Sequence, residues 1–245
     1  MRRIILHSAM PRSRTSGRVA LERALSKLRI ASRSEAQRRI RNGDVTVNGT
    51  VVRNPLALVH PERDRIAVGG VAAVGQPWRT IALHKPRGTV TTRRDPAGRR
   101  TVFDVLGETG DGLVAVGRLD LATSGLLLLT TDTRLAERLT NPENAIVRRY
   151  AVTVRGYVAD AACAAMEAGV GDLRAASVRV RKRSQRETHL IVELTEGKNR
   201  EIRRLIAAAG TEVTTLLRVA YGPIELGSLQ PGEWRELTRD AFSRL

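Results

Sequence analysis

"VAVGRLDLATSGLLLL", residues Val114 to Leu129, is the stretch on which the reading of this chain turns. A short apolar run enters Gly117-Arg118-Leu119-Asp120, a polar turn with Gly125 follows, and four leucines complete it. Apolar runs this short, bounded by turn residues, read as buried strands rather than helices. The segment is therefore a strand–loop–strand unit with one carboxylate in its loop. Burying a carboxylate is costly unless it is paired or faces a cleft, and such costs are tolerated mainly at functional sites. From spacing alone, Asp120 reads equally well as a turn aspartate bonding near Thr123 or Ser124.

The flanking chain has no clean strand–helix–strand repeat. Thr80 to His84 reads as a strand followed by the loop Lys85-Pro86-Arg87-Gly88, and Leu113–Val116 and Leu126–Thr130 as short strands. Tyr150 to Arg155 alternates, Ala159 to Ala168 is helical, and His189 to Leu194 is another strand. Asn199 to Ala209 forms a helix ending at Gly210, with Ile202, Leu205, Ile206 and Ala209 as its apolar stripe. The expected class is α+β with a mostly antiparallel mixed sheet. Arg200, Arg203 and Arg204 are spaced to share one helix side. An arginine beside a carboxylate favours its ionised form, though the same arginines serve equally for phosphate or water.

Charge separates a first module from the rest. The chain has 245 residues and a net charge of +17. Residues 1–70 hold 15 basic and 5 acidic residues against 27 and 20 in the remainder, so the excess is concentrated at the N-terminus. There, Leu21, Leu25 and Leu28 mark a helix over Val19–Leu28. A second helix over Glu35–Arg41 has Ser32 and Ser34 as candidate caps, with capping-box spacing from Ser34 to Gln37, and stops at Gly43. Two β-branched runs around Asn48-Gly49 predict a hairpin with a type I′ turn. Val68 to Pro77 reads as a linker or a last strand.

Composition narrows the function classes. So basic a chain attracts polyanions, foremost nucleic acid. A single cysteine, Cys163, gives no disulfide framework and points to a reducing cytoplasm. The four histidines are scattered without ligand spacing, so no metal site is expected. The longest apolar run, Ala161 to Met166, is far too short to span a membrane. Met1 to Arg18 is basic and acid-free, and reads as a disordered tail, with an organelle transit peptide as the alternative.

"GRLDLATSGLLLLTTD", "LHKPRGTVTT", "RRYAVTV" and "EGKNREIRRL" resemble the motifs of the RsuA/RluB group of ribosomal RNA pseudouridine synthases, and stand in that group's order. "RVALERALSKLRIASRSEAQRRIRNGDVTVNGTVV" resembles the ribosomal-protein-S4-like RNA-binding domain that this group carries at its N-terminus. Together the resemblance covers nearly all of residues 18–238. It implies the RNA-binding domain over 18–70 and the catalytic domain over 79–245, which leaves the basic stretch over 1–17 as a disordered tail and 71–78 as a linker.

The same resemblance implies roles for individual residues. Asp120 matches the catalytic aspartate, Tyr150 the tyrosine that stacks on the target base and helps move its C5 proton, and Arg203 the basic partner of the aspartate. Leu217 matches the apolar wall of the pocket, and Arg118 the arginine that supports the rearranged RNA. Lys85 and Arg87 are expected on the RNA backbone, with Lys198 and Arg200 beside them. Arg33, Arg38, Arg39 and Arg41 are expected to bind folded RNA through shape and phosphate contacts. Asn199-Arg200 departs from polar pairs such as His-Gln in relatives.

Pseudouridine formation breaks the uracil N1–C1′ bond and joins C5 to C1′ with no net gain or loss of atoms, so no cofactor is implied. The carboxylate either attacks covalently or abstracts a sugar proton. The implied partner is ribosomal RNA or a ribosomal subunit precursor, met by a monomer. The tail "RVAYGPIELGSLQPGEW" leans toward 23S RNA, with 16S RNA as the alternative. Two other classes stay open: a noncatalytic RNA-binding assembly factor, and a carboxylate hydrolase such as a nucleosidase, which would release free uracil.

Overall fold

Asn48 and Gly49 both adopt positive φ, 53° and 86°, as a type I′ turn requires. They join two strands of the first unit. The computed structural model describes residues 17–28, 30–61, 63–73, 77–243 and 245. The basic tail expected over residues 1–17 lies, except for Gly17, outside the described residues. The chain divides into two units between Gln76 and Pro77.

The first unit contains β1 (Val19–Ala20), α1 (Leu21–Lys27), α2 (Arg33–Asn42), β2 (Val45–Val47), β3 (Thr50–Val51), β4 (Leu58–Val59), β5 (Ile66–Val68) and β6 (Val71–Ala72). Helices α1 and α2 bury Leu21, Leu25, Ala36 and Ile40 against Val45, Val59 and Ile66. Ser32, not Ser34, caps α2 by accepting the Glu35 N–H at 3.2 Å, and the helix starts two residues earlier than the spacing of Ser34 and Gln37 predicts. The Glu35 carboxylate is held by Arg38 at 2.6 Å and Arg39 at 2.8 Å, while Gln37 reaches Glu22. Strand β6 pairs with β5 inside the span read as a linker, so this unit's sheet continues past residue 70.

The second unit contains β7 (Thr80–Lys85), α3 (Val102–Leu106), β8 (Val114–Val116), β9 (Ser124–Thr130), α4 (Thr133–Thr140), β10 (Arg148–Arg155), α5 (Asp160–Ala168), β11 (Ser177–Arg183), β12 (Glu187–Leu194), α6 (Glu201–Ala208), β13 (Val213–Tyr221), β14 (Ile224–Glu225) and β15 (Trp234–Leu237). Its nine-stranded sheet runs β11-β12-β10-β13-β9-β7-β15, with β8 on β9 and β14 on β13. Among the described strands of this sheet, only the pairing of β13 with β9 is parallel. The fold is α+β with a mixed sheet.

Strand β9 explains the run of leucines. Leu127 and Leu129 enter a core with α5 and α6, whereas Leu126 and Leu128 enter a second core with α4 residues and Tyr221. A strand buried on both faces reads as a continuous apolar run rather than an alternation. Gly125 stands where β9 meets β13. Its φ is +107°, and an added Cβ would lie 2.3 Å from the Arg218 carbonyl oxygen. Backbone against backbone leaves no soft way to relieve that overlap. Gly125→Ala is therefore expected to destabilise the second unit by at least ~2 kcal/mol, read as a lowered urea midpoint with an unchanged slope.

Candidate active site

The loop between β8 and β9 is fastened at alternate residues by the last residue of β7 and the segment that follows it. Thr91 Oγ1 donates to the Leu119 carbonyl at 2.9 Å, the Gly88 N–H to the Leu121 carbonyl at 2.8 Å, and Lys85 Nζ to the Thr123 carbonyl at 2.8 Å. The Thr123 N–H closes the turn on the Asp120 carbonyl at 3.0 Å. Asp120 is thereby presented to a cavity of about 600 Å³ that is also lined by Tyr150, Arg203 and Leu216.

The geometry corrects several expectations. The Asp120 side chain is 39% exposed rather than buried, and its ion pair is with Arg200 at 4.0 Å, not with Arg203. Arg203 instead makes long hydrogen bonds to the Ala122 and Val213 carbonyls, 3.3 and 3.4 Å. Burial and the neighbouring Arg200 pull its guanidinium below the usual range, and the Asp120 charge opposes them, so the three groups share one field. Arg200 precedes α6 in the left-handed region (φ 49°, ψ 33°), which turns its side chain off the line of the helix. Arg204 leaves the group altogether and pairs with Asp172 at 2.9 Å.

Lys85 cannot touch an RNA backbone, because it is fully buried. Its Nζ donates to the Thr123 and Pro86 carbonyls, and burial pulls it down to about 8, with the Asp120 charge opposing. Arg87 is exposed and its charge reaches Arg203. Leu217 packs on the opposite face of the sheet from the cavity, among the second core, while Leu216 lines the cavity. A one-residue slip along a strand exchanges faces. Arg118 and Lys198 line the cavity, and Lys198 also pairs with Glu196 at 2.8 Å.

Other lining residues went unread in the sequence. Arg218 lies directly across from Tyr150 in the pairing of β10 with β13, so the two side chains share a face. Its Nε donates to the Leu126 carbonyl at 2.6 Å, and its guanidinium stacks on the Tyr221 ring at 5.0 Å. Arg148 covers the same ring at 4.8 Å. Four atoms belonging to residues of the cavity wall, Thr123 Oγ1, Glu201 Oε1, Arg203 Nε and Arg218 Nη2, are buried without a hydrogen-bond partner. Arg148 stood within "RRYAVTV" and Arg218 within "RVAYG", but nothing in those strings separates a cavity arginine from a surface one. Among the described residues, no three His, Cys, Asp or Glu side chains gather as a metal site, and no helix is long and apolar enough to cross a membrane.

The family profile described as RNA pseudouridylate synthase matches residues 79–208, which include the Asp120 loop, Tyr150 and the whole of α6. The chain belongs to the RNA pseudouridylate synthase family. The S4 domain profile matches residues 21–65 of the first unit. An RNA pseudouridine synthase of Aquifex aeolicus (strain VF5), itself uncharacterized, is 35% identical over 232 residues, 93% of either chain. The ribosomal large subunit pseudouridine synthase B of Escherichia coli (strain K12) is 39% identical over 230 residues, 89% of this chain and 78% of its own. A solved pseudouridylate synthase structure superposes with a TM-score of 0.63 at 27% identity, over 91% of this chain and 97% of that one.

Three measurements check this geometry in the enzyme. Leu216→Ala is expected to slow pseudouridine formation per folded molecule at least about tenfold, one missing cavity wall. Leu217→Ala is expected to lower the melting temperature while leaving that rate within about threefold, from loss of second-core packing. Lys85 releases its proton near 8 when folded but near 10.5 when unfolded, so the unfolded chain binds more protons in between. The stability of the wild type relative to Lys85→Met is therefore expected to rise with pH across that window, followed by urea midpoints.

Proposed function

We propose that this enzyme converts a uridine of large-subunit (23S) ribosomal RNA to pseudouridine, with Asp120 as the catalytic carboxylate and no cofactor. The observation that carries the reading is the convergence of Asp120, Tyr150 and Arg203, from three separate stretches of chain, on one cavity. The target uracil leaves its stack at a cost of a few kcal/mol. Stacking on Tyr150 offsets part of that, at about 1–3 kcal/mol per base. Cleavage of N1–C1′ leaves C1′ short of electrons, and the Asp120 carboxylate stabilises that charge whether it attacks or takes a sugar proton. The ring turns, C5 bonds to C1′, C5 loses its proton and N1 ends protonated. Atoms and electrons balance within the nucleotide, so side chains suffice.

Arg200 and Arg203 place positive charge beside the aspartate, and the unpartnered Arg218 Nη2 and Thr123 Oγ1 offer hydrogen bonds to a polar occupant. Arg118, Lys198 and Arg87 hold the RNA around the opening. On the S4 domain, exposed Arg33 and Arg41 meet RNA phosphates, and Arg38 and Arg39 do so from their places on Glu35. The large-subunit target rests on the C-terminal tail and on the name of the Escherichia coli relative. The enzyme acts as a monomer in the cytoplasm.

Tritium release from rRNA transcripts labelled at uridine C5 tests this. Wild type is expected to release tritium from 23S transcripts, and Asp120→Asn to be at least about a thousandfold slower while still binding RNA. Full activity of Asp120→Asn overturns the assignment of the carboxylate. Release from 16S transcripts alone overturns the choice of subunit.

A further inference from the structure

The edge of the catalytic sheet formed by β11 is a second basic surface, far along the strands from Asp120. Its sequence, Ser177-Val178-Arg179-Val180-Arg181-Lys182-Arg183, has four cations and no acid. Arg186 follows in the turn to β12. The pairing of β11 with β12 slips between Val180 and Lys182, which leaves Arg181 as the extra residue of a bulge. Arg181, Lys182 and Arg186 are exposed and make no ion pair among the described residues.

Beside them stands Tyr157, 56% exposed. Its loop is strapped to the hairpin, with the Gly156 N–H donating to the Arg186 carbonyl at 2.7 Å and the Val158 N–H to Thr188 Oγ1 at 3.0 Å. The Arg183 guanidinium, paired with Asp160, lies 5.5 Å from the Tyr157 ring and braces it. A tyrosine ring left half in water and braced by one arginine, beside a hairpin of exposed cations, is a platform for an unpaired base, because bases stack on aromatic and guanidinium planes alike.

An edge strand also needs charge to prevent pairing with other chains, and the opposite edge shows what that purpose alone requires. There β15 carries Arg235 and Glu236, one of each sign, and Glu236 is paired with Arg79 at 2.9 Å. Protection does not call for one sign only, nor for an exposed tyrosine.

We propose that Tyr157, Arg181, Lys182 and Arg186 form a separate RNA-binding surface, which holds an unpaired stretch of the substrate RNA away from the target uridine. Strand β10 leads from Tyr150 in the cavity to Arg155 at this end, five residues or about 17 Å. The surface thus grips RNA several nucleotides from the reacting base and adds affinity without touching the chemistry. The inference rests on RNA as the substrate, not on Asp120 as the catalyst.

The test uses the full chain and a transcribed domain of large-subunit rRNA. Variants are Tyr157→Ala and the triple change Arg181→Ser, Lys182→Ser, Arg186→Ser, all at exposed positions. The triple variant is expected to reduce the slope of log affinity against log salt by about two, three phosphate contacts at roughly 0.7 each on an unpaired strand. Tyr157→Ala is expected to weaken binding about tenfold. In both, KM rises and kcat stays. Unchanged affinity and slope overturn the proposal, and so does self-association of the triple variant with unchanged RNA affinity, which marks the strand as guarded only against pairing. Tritium release by the wild type is followed in parallel, so a failure of the isomerase reading shows separately from a failure of this surface.

Discussion

Three hydrogen bonds from Lys85, Gly88 and Thr91 hold the loop that carries Asp120, and the rest of the site is arranged around them. Without them residues 117–123 would be a surface loop with a free backbone. With them, the carbonyls of Leu119, Leu121 and Thr123 are occupied and the backbone that carries Asp120 at the cavity is fixed. The cost is a lysine ammonium buried to completion, which lowers its proton affinity and is only partly offset by two carbonyls and the Asp120 charge. A buried cation is here tolerated for the sake of one loop conformation.

Around this fixed loop the cavity is strongly cationic, lined by Arg118, Arg148, Lys198, Arg200, Arg203 and Arg218 against Asp120, Glu196 and Glu201. Such a balance suits a substrate that brings its own phosphates. The cations nevertheless differ in kind. Arg148 and Arg218 are locked by carbonyls and by the faces of Tyr221, whereas Arg200 is half in water. Locked guanidinium groups hold a shape, and exposed ones steer an approaching polyanion.

The doubly buried strand β9 links this chemistry to stability. Its leucines join two cores, and its first residues pair in parallel with β13 at Gly125 and Arg218. A cavity arginine, the end of the Asp120 loop and a glycine with no room for a Cβ thus meet at one pairing. Changes there act on folding and on the site together.

Much of this was readable from the chain alone. The apolar runs around Asp120, the Asn48-Gly49 turn, the basic first module and the ordered motifs are local signals, and local signals survive translation into structure because turn chemistry and burial on both faces act within a few residues. What depended on pairing partners was not readable. Strand β13 breaks its alternation at Leu216-Leu217, so only its register against β10 decides that Leu216 faces the cavity and Leu217 does not. Helical spacing put Arg200, Arg203 and Arg204 on one side, but the left-handed backbone at Arg200 and the presence of Asp172 separate them. Lys85 in a polar loop string reads as a surface contact, but it ends β7 between β9 and β15, where its side chain is fully buried against the Thr123 carbonyl. Sequence determined which residues could do chemistry; tertiary structure decided which of them face the cavity, because facing is a property of strand register and neighbouring charge rather than of residue type.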